Sequence, residues 1–154
     1  MKIFLLLVIA ILIVYIGVQI RAYYRRREKI LNDIIQFCNI FENDLRFNKN
    51  SVAQIVKDNL SKFDKEFAKV LEIYILQGKI TECKFLNKKE QDLLEKFLKS
   101  LGKSDEEGEI RNLNNYRTEL MKVKEEGLTD CKKYGDFSVK MSVIIGILVL
   151  VIFL

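Results

Sequence analysis

The 154-residue chain contains no proline, no histidine and no tryptophan. Without proline, no residue forces a helix to stop early, and this favours an all-helical fold. Without histidine, the chain lacks the commonest general base, a frequent metal ligand and the usual partner of a nucleophilic serine or cysteine. We therefore predict a protein that is not an enzyme, with no catalytic or metal-binding residues, no cofactor and no small-molecule substrate.

Cysteine is scarce as well. Cys38, Cys83 and Cys131 are odd in number, far apart and without a CxxC pair. This spacing argues against a disulfide framework and against a zinc site, and it suits a reducing cytoplasm. We interpret the three residues as small, half-buried apolar side chains.

Charge is concentrated in the middle of the chain. Lys2 and Lys140 are the only charged residues of segments 1–20 and 139–154, so residues 21–138 carry 24 basic and 21 acidic side chains. A nucleic-acid-binding domain would have a clear basic excess. This near balance predicts a domain that does not bind nucleic acid.

Two apolar runs flank this charged region. Segment 3–20 has Gln19 as its only polar side chain, and 18 helical residues span about 27 Å, close to the apolar thickness of a bilayer. Arginines follow it instead of a small-residue cleavage site, which favours an uncleaved anchor over a signal peptide. Segment 137–154 is the second run; Lys140 can extend to the headgroups, and the alternative is a buried core helix.

We therefore predict an all-α protein of three parts: a transmembrane anchor (1–20), a small cytoplasmic helical bundle (21–136) and a C-terminal transmembrane segment (137–154). Basic residues next to both spans predict a cytoplasmic central domain and both termini across the cell membrane. The stretch "RAYYRRR" resembles a nucleic-acid surface, but interfacial tyrosines and headgroup-binding arginines explain it better. The predicted membrane-flanking residues are Arg21, Arg25, Arg26, Arg27, Lys132 and Lys133.

Apolar residues at intervals of three and four predict helices in the middle region. The first runs on to about Arg46 and is broken at residues 48–51, where Ser51 can cap the next helix. A short helix and a second one ended by Gly78 follow. Asn87 with Glu90 forms a predicted capping box that opens another helix.

The stretch "LGKSDEEGEI" (residues 101–110) predicts a corner between two helices. Gly102 occupies the left-handed position after the first helix, and Ser104 with Glu107 forms a second capping box. The last helix then starts at about Asp105 and carries a seam of inward residues: Leu113, Tyr116, Leu120, Val123, Gly127, Cys131 and Tyr134. Four acids also cluster here, and a basic partner surface is one reason for so many; the alternative is a well-solvated helix start. These predicted partner-binding residues are Asp105, Glu106, Glu107 and Glu109.

Three blocks in this order resemble the stage III sporulation protein AB family of endospore-forming bacteria. They are "YRRREKIL" after the anchor, "LGKSD" at the corner, and "KKYG" before the final apolar run. The chain departs from the family at Glu109, where a glutamine is usual, and in its middle helices, which lack the family's prolines and are shortened. Its last segment keeps only Gly146 of several glycines.

The resemblance implies a fold similar to the cytoplasmic domain of type II secretion platform proteins. It implies a scaffold in the mother-cell membrane, within a secretion-like complex between mother cell and forespore, whose partners are a cytoplasmic ATPase and other subunits of the complex. The alternatives from the sequence are a generic membrane-tethered helical interaction protein, and a membrane-bound enzyme that uses carboxylates or a cysteine.

Overall fold

The computed structural model describes residues 2–153, with side chains for residues 4–152. Met1 and Leu154, the outermost residues of the predicted terminal segments, lie outside the described residues. The helices are α1 (Lys2–Phe47), α2 (Val52–Asn59), α3 (Lys65–Gln77), α4 (Lys88–Ser100), α5 (Glu106–Asp130) and α6 (Phe137–Phe153). No strand occurs between residues 2 and 153, so the predicted all-helical class is confirmed.

Most helix ends lie where the local sequence predicts them. The Ser51 hydroxyl accepts a hydrogen bond from the backbone N–H of Gln54 at the start of α2. Asn87 and Glu90 form the reciprocal capping box of α4, with bonds of 2.9 and 2.8 Å. Gly78 follows α3 with a φ of 65°. These three predictions are confirmed. The two caps accept hydrogen bonds from the free N–H groups of a helix start, and Gly78 adopts the left-handed conformation that commonly ends a helix.

The chain divides into two compact units. The central unit comprises residues 29–125, and the terminal unit combines residues 1–28 with residues 126–154. The predicted domain limits after residue 20 and before residue 137 stay predictions.

Phe37 of α1 lies at the middle of the central unit's core. It is fully buried, and its ring centroid lies 6.0 to 6.2 Å from those of four other aromatic rings. The four are Phe41, Phe63, Phe67 and Phe97. Leu113 and Leu120 of α5 complete this core as predicted, so the apolar stripes of α1, α3, α4 and α5 bury one another.

In the terminal unit the large apolar side chains point outward. Two stretches are long and apolar enough to cross a membrane, within Phe4–Phe47 and Glu106–Ile152. Only 11% and 17% of their most apolar windows are buried, whereas a core helix of a soluble domain would be mostly buried. The two helical segments touch through small residues. At Gly146, for example, an added Cβ would lie 3.5 Å from the carbonyl oxygen of Ala10.

A π-helical segment, Cys131–Asp136, joins α5 to α6. This segment was not predicted from the residue types, and it corrects the predicted seam. Leu113, Leu120, Val123 and Cys131 are buried, but Tyr134 is 46% exposed. Because a π turn holds more residues than an α turn, it rotates the side chains that follow it around the helix axis. Tyr134 instead stacks on the ring of Tyr24, with centroids 6.2 Å apart.

Candidate functional site

Two chain corners meet at one end of the central unit. We call this surface the tip and define it as residues 47–52 and 101–107. The Lys49 ammonium lies 3.2 Å from a Glu106 carboxylate oxygen, and a Cβ on Gly102 would lie 3.5 Å from a Val52 methyl group. The helix between Lys29 and Phe47, and likewise that between Glu106 and Glu125, is about 27 Å long or slightly more. The tip is therefore the end of the unit farthest from its chain connections.

Asp44 builds the first corner. Its buried carboxylate accepts the backbone N–H of Asn50 at 2.9 Å and the side-chain amides of Asn50 and Asn48 at 2.8 and 3.2 Å. Lys49 has a φ of 55°, a left-handed conformation that is uncommon outside glycine. The hydrogen bonds to Asp44 hold the chain in this tight turn. Phe47, which closes α1, is 79% exposed beside it.

Glu109 builds the second corner and is not an exposed docking residue. Its side chain is only 3% exposed, and its Oε1 accepts the backbone N–H of Gly102 at 2.9 Å. Gly102 has a φ of 71°, as expected just past a helix end. The prediction that Glu109 offers its charge to a partner is wrong, because the corner folds this side chain inward.

The predicted Ser104–Glu107 capping box does not form the start of α5, because the N-cap lies one residue later and its N3 position is Gly108, which has no side chain. α5 begins at Glu106, so Asp105 holds the N-cap position, and its carbonyl oxygen accepts the Glu109 N–H at 2.8 Å. The Asp105 carboxylate lies against the first turn of α5, because a Cβ added to Gly108 would be only 2.6 Å from its Oδ1. Serine and aspartate are both good caps, but a carboxylate also complements the positive end of the helix dipole.

The exposed acidic surface of the tip is consequently smaller than predicted. Asp105, Glu106 and Glu107 are exposed, and Lys49 partly neutralises Glu106. Asp105 and Glu107 form no ion pair with any described residue. Two free negative charges and one paired charge therefore remain for a partner.

Two of the predicted membrane-flanking arginines form ion pairs with aspartates of the terminal unit. Arg21 pairs with Asp136 at 2.8 Å, and the buried Arg27 side chain pairs with Asp130 at 2.9 Å. Arg26 is half-buried, whereas Arg25, Lys132 and Lys133 are exposed. The ammonium of Lys133 lies 5.3 Å from the centroid of the Tyr134 ring. Headgroup contact stays a prediction, best suited to the three exposed side chains.

All three cysteines are buried, rather than half-buried as predicted. Burial raises the pKa of the Cys38 thiol to about 12 and also raises the pKa values of Cys83 and Cys131. The nucleophilic form of a cysteine is the thiolate. These thiols are therefore protonated and shielded at neutral pH.

Sequence comparison adds one finding. The family model of stage III sporulation protein AB matches residues 2–154, essentially the whole chain. No curated protein and no solved structure matches it. The chain thus belongs to the stage III sporulation protein AB family, and the resemblance drawn from its sequence blocks is confirmed.

Proposed function

We propose that this sporulation protein is a non-enzymatic platform subunit of a secretion-like complex between mother cell and forespore. Two spans hold it in the mother-cell membrane, and its central unit is a cytoplasmic helical bundle of the type II secretion platform kind that docks the complex's ATPase. The observation that carries this proposal is the pair of apolar helical stretches that leave only 11% and 17% of their most apolar windows buried. Such stretches need a surrounding apolar solvent, and a bilayer supplies it.

The orientation follows from the basic residues that border the spans. Positive side chains favour the cytoplasmic side, and the exposed Arg25, Lys132 and Lys133 meet this requirement even though Arg21 and Arg27 have acidic partners. Within the central unit, the tip lies about 27 Å from the unit's own chain connections.

The tip offers the ATPase an acidic surface made by Asp105, Glu106 and Glu107. Dipole complementation needs only one or two acids in a first turn and contributes about 0.3–1 kcal/mol for each. Because Lys49 pairs with Glu106, the surface keeps two unpaired acids, Asp105 and Glu107, which a basic surface on the partner would complement. Glu109 has no part in this contact because it is buried against Gly102.

Two other functions are open to such a chain. A generic membrane-tethered interaction protein would have the same spans without the ATPase. A membrane-bound enzyme would need an activated nucleophile, and the raised pKa values of the buried thiols disfavour cysteine in that role.

The test is binding of the ATPase to the full-length chain in detergent micelles. We expect the double variant Glu106→Lys, Glu107→Lys to lose about fivefold in affinity at low salt and less at moderate salt, because salt screens exposed charges. The matched control, Glu82→Lys with Glu119→Lys, makes the same charge change at exposed positions outside the tip and should bind normally.

Equal loss in both double variants would mean that net charge, and not the tip, controls binding. Unchanged affinity of the tip variant at both salt concentrations would remove the acidic surface from the docking site. Failure of the unchanged chain to bind the ATPase would leave the generic tether as the better account.

A further inference from the structure

A groove of the central unit overlaps the tip, with which it shares Ser51, Val52, Leu101 and Lys103. It consists of two adjoining hollows of about 670 and 320 Å³. The larger lies among the start of α2, the end of α3 and the end of α4, and the smaller lies between α2 and α3. Ser51, Ala53 and Ile75 line both, so the hollows form one elongated depression, which we call the α2–α3 groove.

The groove presents apolar side chains to solvent. Leu76 is 73% exposed on its wall, and Val52, Leu60 and Ile75 are only half-buried. Ala53, between the hollows, is exposed and small, so a backbone can approach closely there. A rimmed apolar depression on an otherwise charged surface is typical of a protein-binding site.

Three lysines and two glutamates line the groove. Lys57 lines the smaller hollow and Lys103 the larger one, and neither forms an ion pair with any described residue. Lys99, also in the larger hollow, pairs with Glu95. Glu72 is the remaining acid of the lining. An occupant with negative charge near Lys57 and Lys103 would neutralise both lysines.

We propose that the α2–α3 groove binds an amphipathic helical segment of the ATPase. Apolar side chains one or two helical turns apart enter the two hollows, a small-residue face crosses Ala53, and acidic residues meet Lys57 and Lys103. Helices that dock in grooves commonly use such anchors at positions i, i+3 or i+4, and i+7. This assignment rests on the proposed function, since the ATPase is the partner named there. It adds a second contact to the acidic surface of the tip: apolar and acidic side chains of the ATPase bind in the groove.

The experiment measures affinity between the full-length chain in detergent micelles and the ATPase. We expect Leu76→Ser to weaken binding about tenfold, as for an apolar anchor at an interface. Lys57→Glu with Lys103→Glu should weaken it by a similar factor, most strongly at low salt. The matched controls are Met121→Ser, which changes another exposed apolar residue, and Lys65→Glu with Lys122→Glu, which reverses two exposed charges outside the groove.

Leu76, Lys57 and Lys103 line the groove and are exposed. Their replacement should therefore leave the fold intact, and circular dichroism checks this for every variant. A photoreactive residue at Ala53 should crosslink to the ATPase. Crosslinking to a second copy of the chain instead, or normal ATPase binding by every groove variant, would overturn the groove assignment alone. If the unchanged chain binds no ATPase, the proposed function fails and the groove assignment fails with it.

Discussion

The two units of the molecule distribute apolar and small residues in opposite ways. In the central unit Phe37, Leu94 and Leu98 are fully buried, and charged side chains form most of the surface. In the terminal unit Phe4 and Ile11 are 75% and 59% exposed, while glycine, alanine and serine occupy the contact between the two helical segments. The first arrangement is typical of a domain folded in water, and the second is typical of helices that are long and apolar enough to cross a membrane.

The two arrangements draw on different forces. Removal of apolar area from water stabilises the central unit. Lipid is as apolar as a leucine side chain, so helices in a bilayer gain little from that effect and associate mainly through close packing. Large residues should therefore be critical in the central unit, and small ones in the terminal unit.

The largest expected effect is truncation of a buried aromatic residue. Phe37→Ala removes a fully buried ring that packs on four others, and we expect a loss of about 3–5 kcal/mol in unfolding free energy. Ile11→Ala, at an exposed apolar position of the terminal unit, should cost far less. Denaturant unfolding of the full chain in micelles, followed by circular dichroism, measures both. Similar losses would contradict the contrast between the units.

A smaller loss is expected when a small residue of the terminal unit is enlarged. A Cβ on Gly17 would collide with the Ser142 hydroxyl and lie 2.8 Å from the Ser142 Cβ and 3.0 Å from the Ser138 carbonyl oxygen. Gly17→Ala must therefore separate the helices, and we expect a cost of about 2 kcal/mol. The measurement is resistance of the full chain to unfolding by a denaturing detergent.

Gly146→Ala is the matched control for this variant. Its new methyl group would make only ordinary contacts, at 3.5 Å from the Ala10 carbonyl oxygen, and should leave stability nearly unchanged. Adding Ser142→Gly to Gly17→Ala should restore part of the loss, because it removes the atoms in collision. Equal behaviour of the two glycine variants would mean that this contact does not hold the terminal unit together.

Features governed by neighbouring residues were predictable from the sequence. The caps at Ser51 and Asn87 and the stop at Gly78 depend on residues within about one helical turn, and the end of α1 at Phe47 depends on residues only slightly farther along the chain. The ion pairs of Arg21 and Arg27 depend on acids more than 100 residues away, so the sequence assigned both arginines to lipid headgroups. The π-helical segment left no signal, because its residue types also suit an α-helix.

The corner at Gly102 shows the same limit at close range. An acid in a first helical turn normally faces solvent, and the sequence placed Glu106, Glu107 and Glu109 together on that ground. Whether one of them turns inward depends on where the preceding corner directs its free N–H group. Here the Gly102 N–H donates to Glu109. Glu109 is therefore buried, whereas Glu106 and Glu107 stay exposed.

The smallest expected effect concerns Glu109, an acidic residue that is buried although most charged side chains of the central unit are exposed. Glu109 Oε1 accepts the Gly102 N–H, while its buried Oε2 has no hydrogen-bond partner among the described residues.

Glu109→Ala leaves that N–H without its acceptor and should cost about 1 kcal/mol. Glu109→Gln keeps an acceptor oxygen and removes a buried carboxylate, so its stability should equal or exceed that of the unchanged chain. Glu107→Gln, at an exposed acid two residues away, is the control and should be neutral. Unfolding in denaturant compares the three, and a loss in Glu109→Gln as large as in Glu109→Ala would mean that the corner requires the negative charge itself and not only an acceptor.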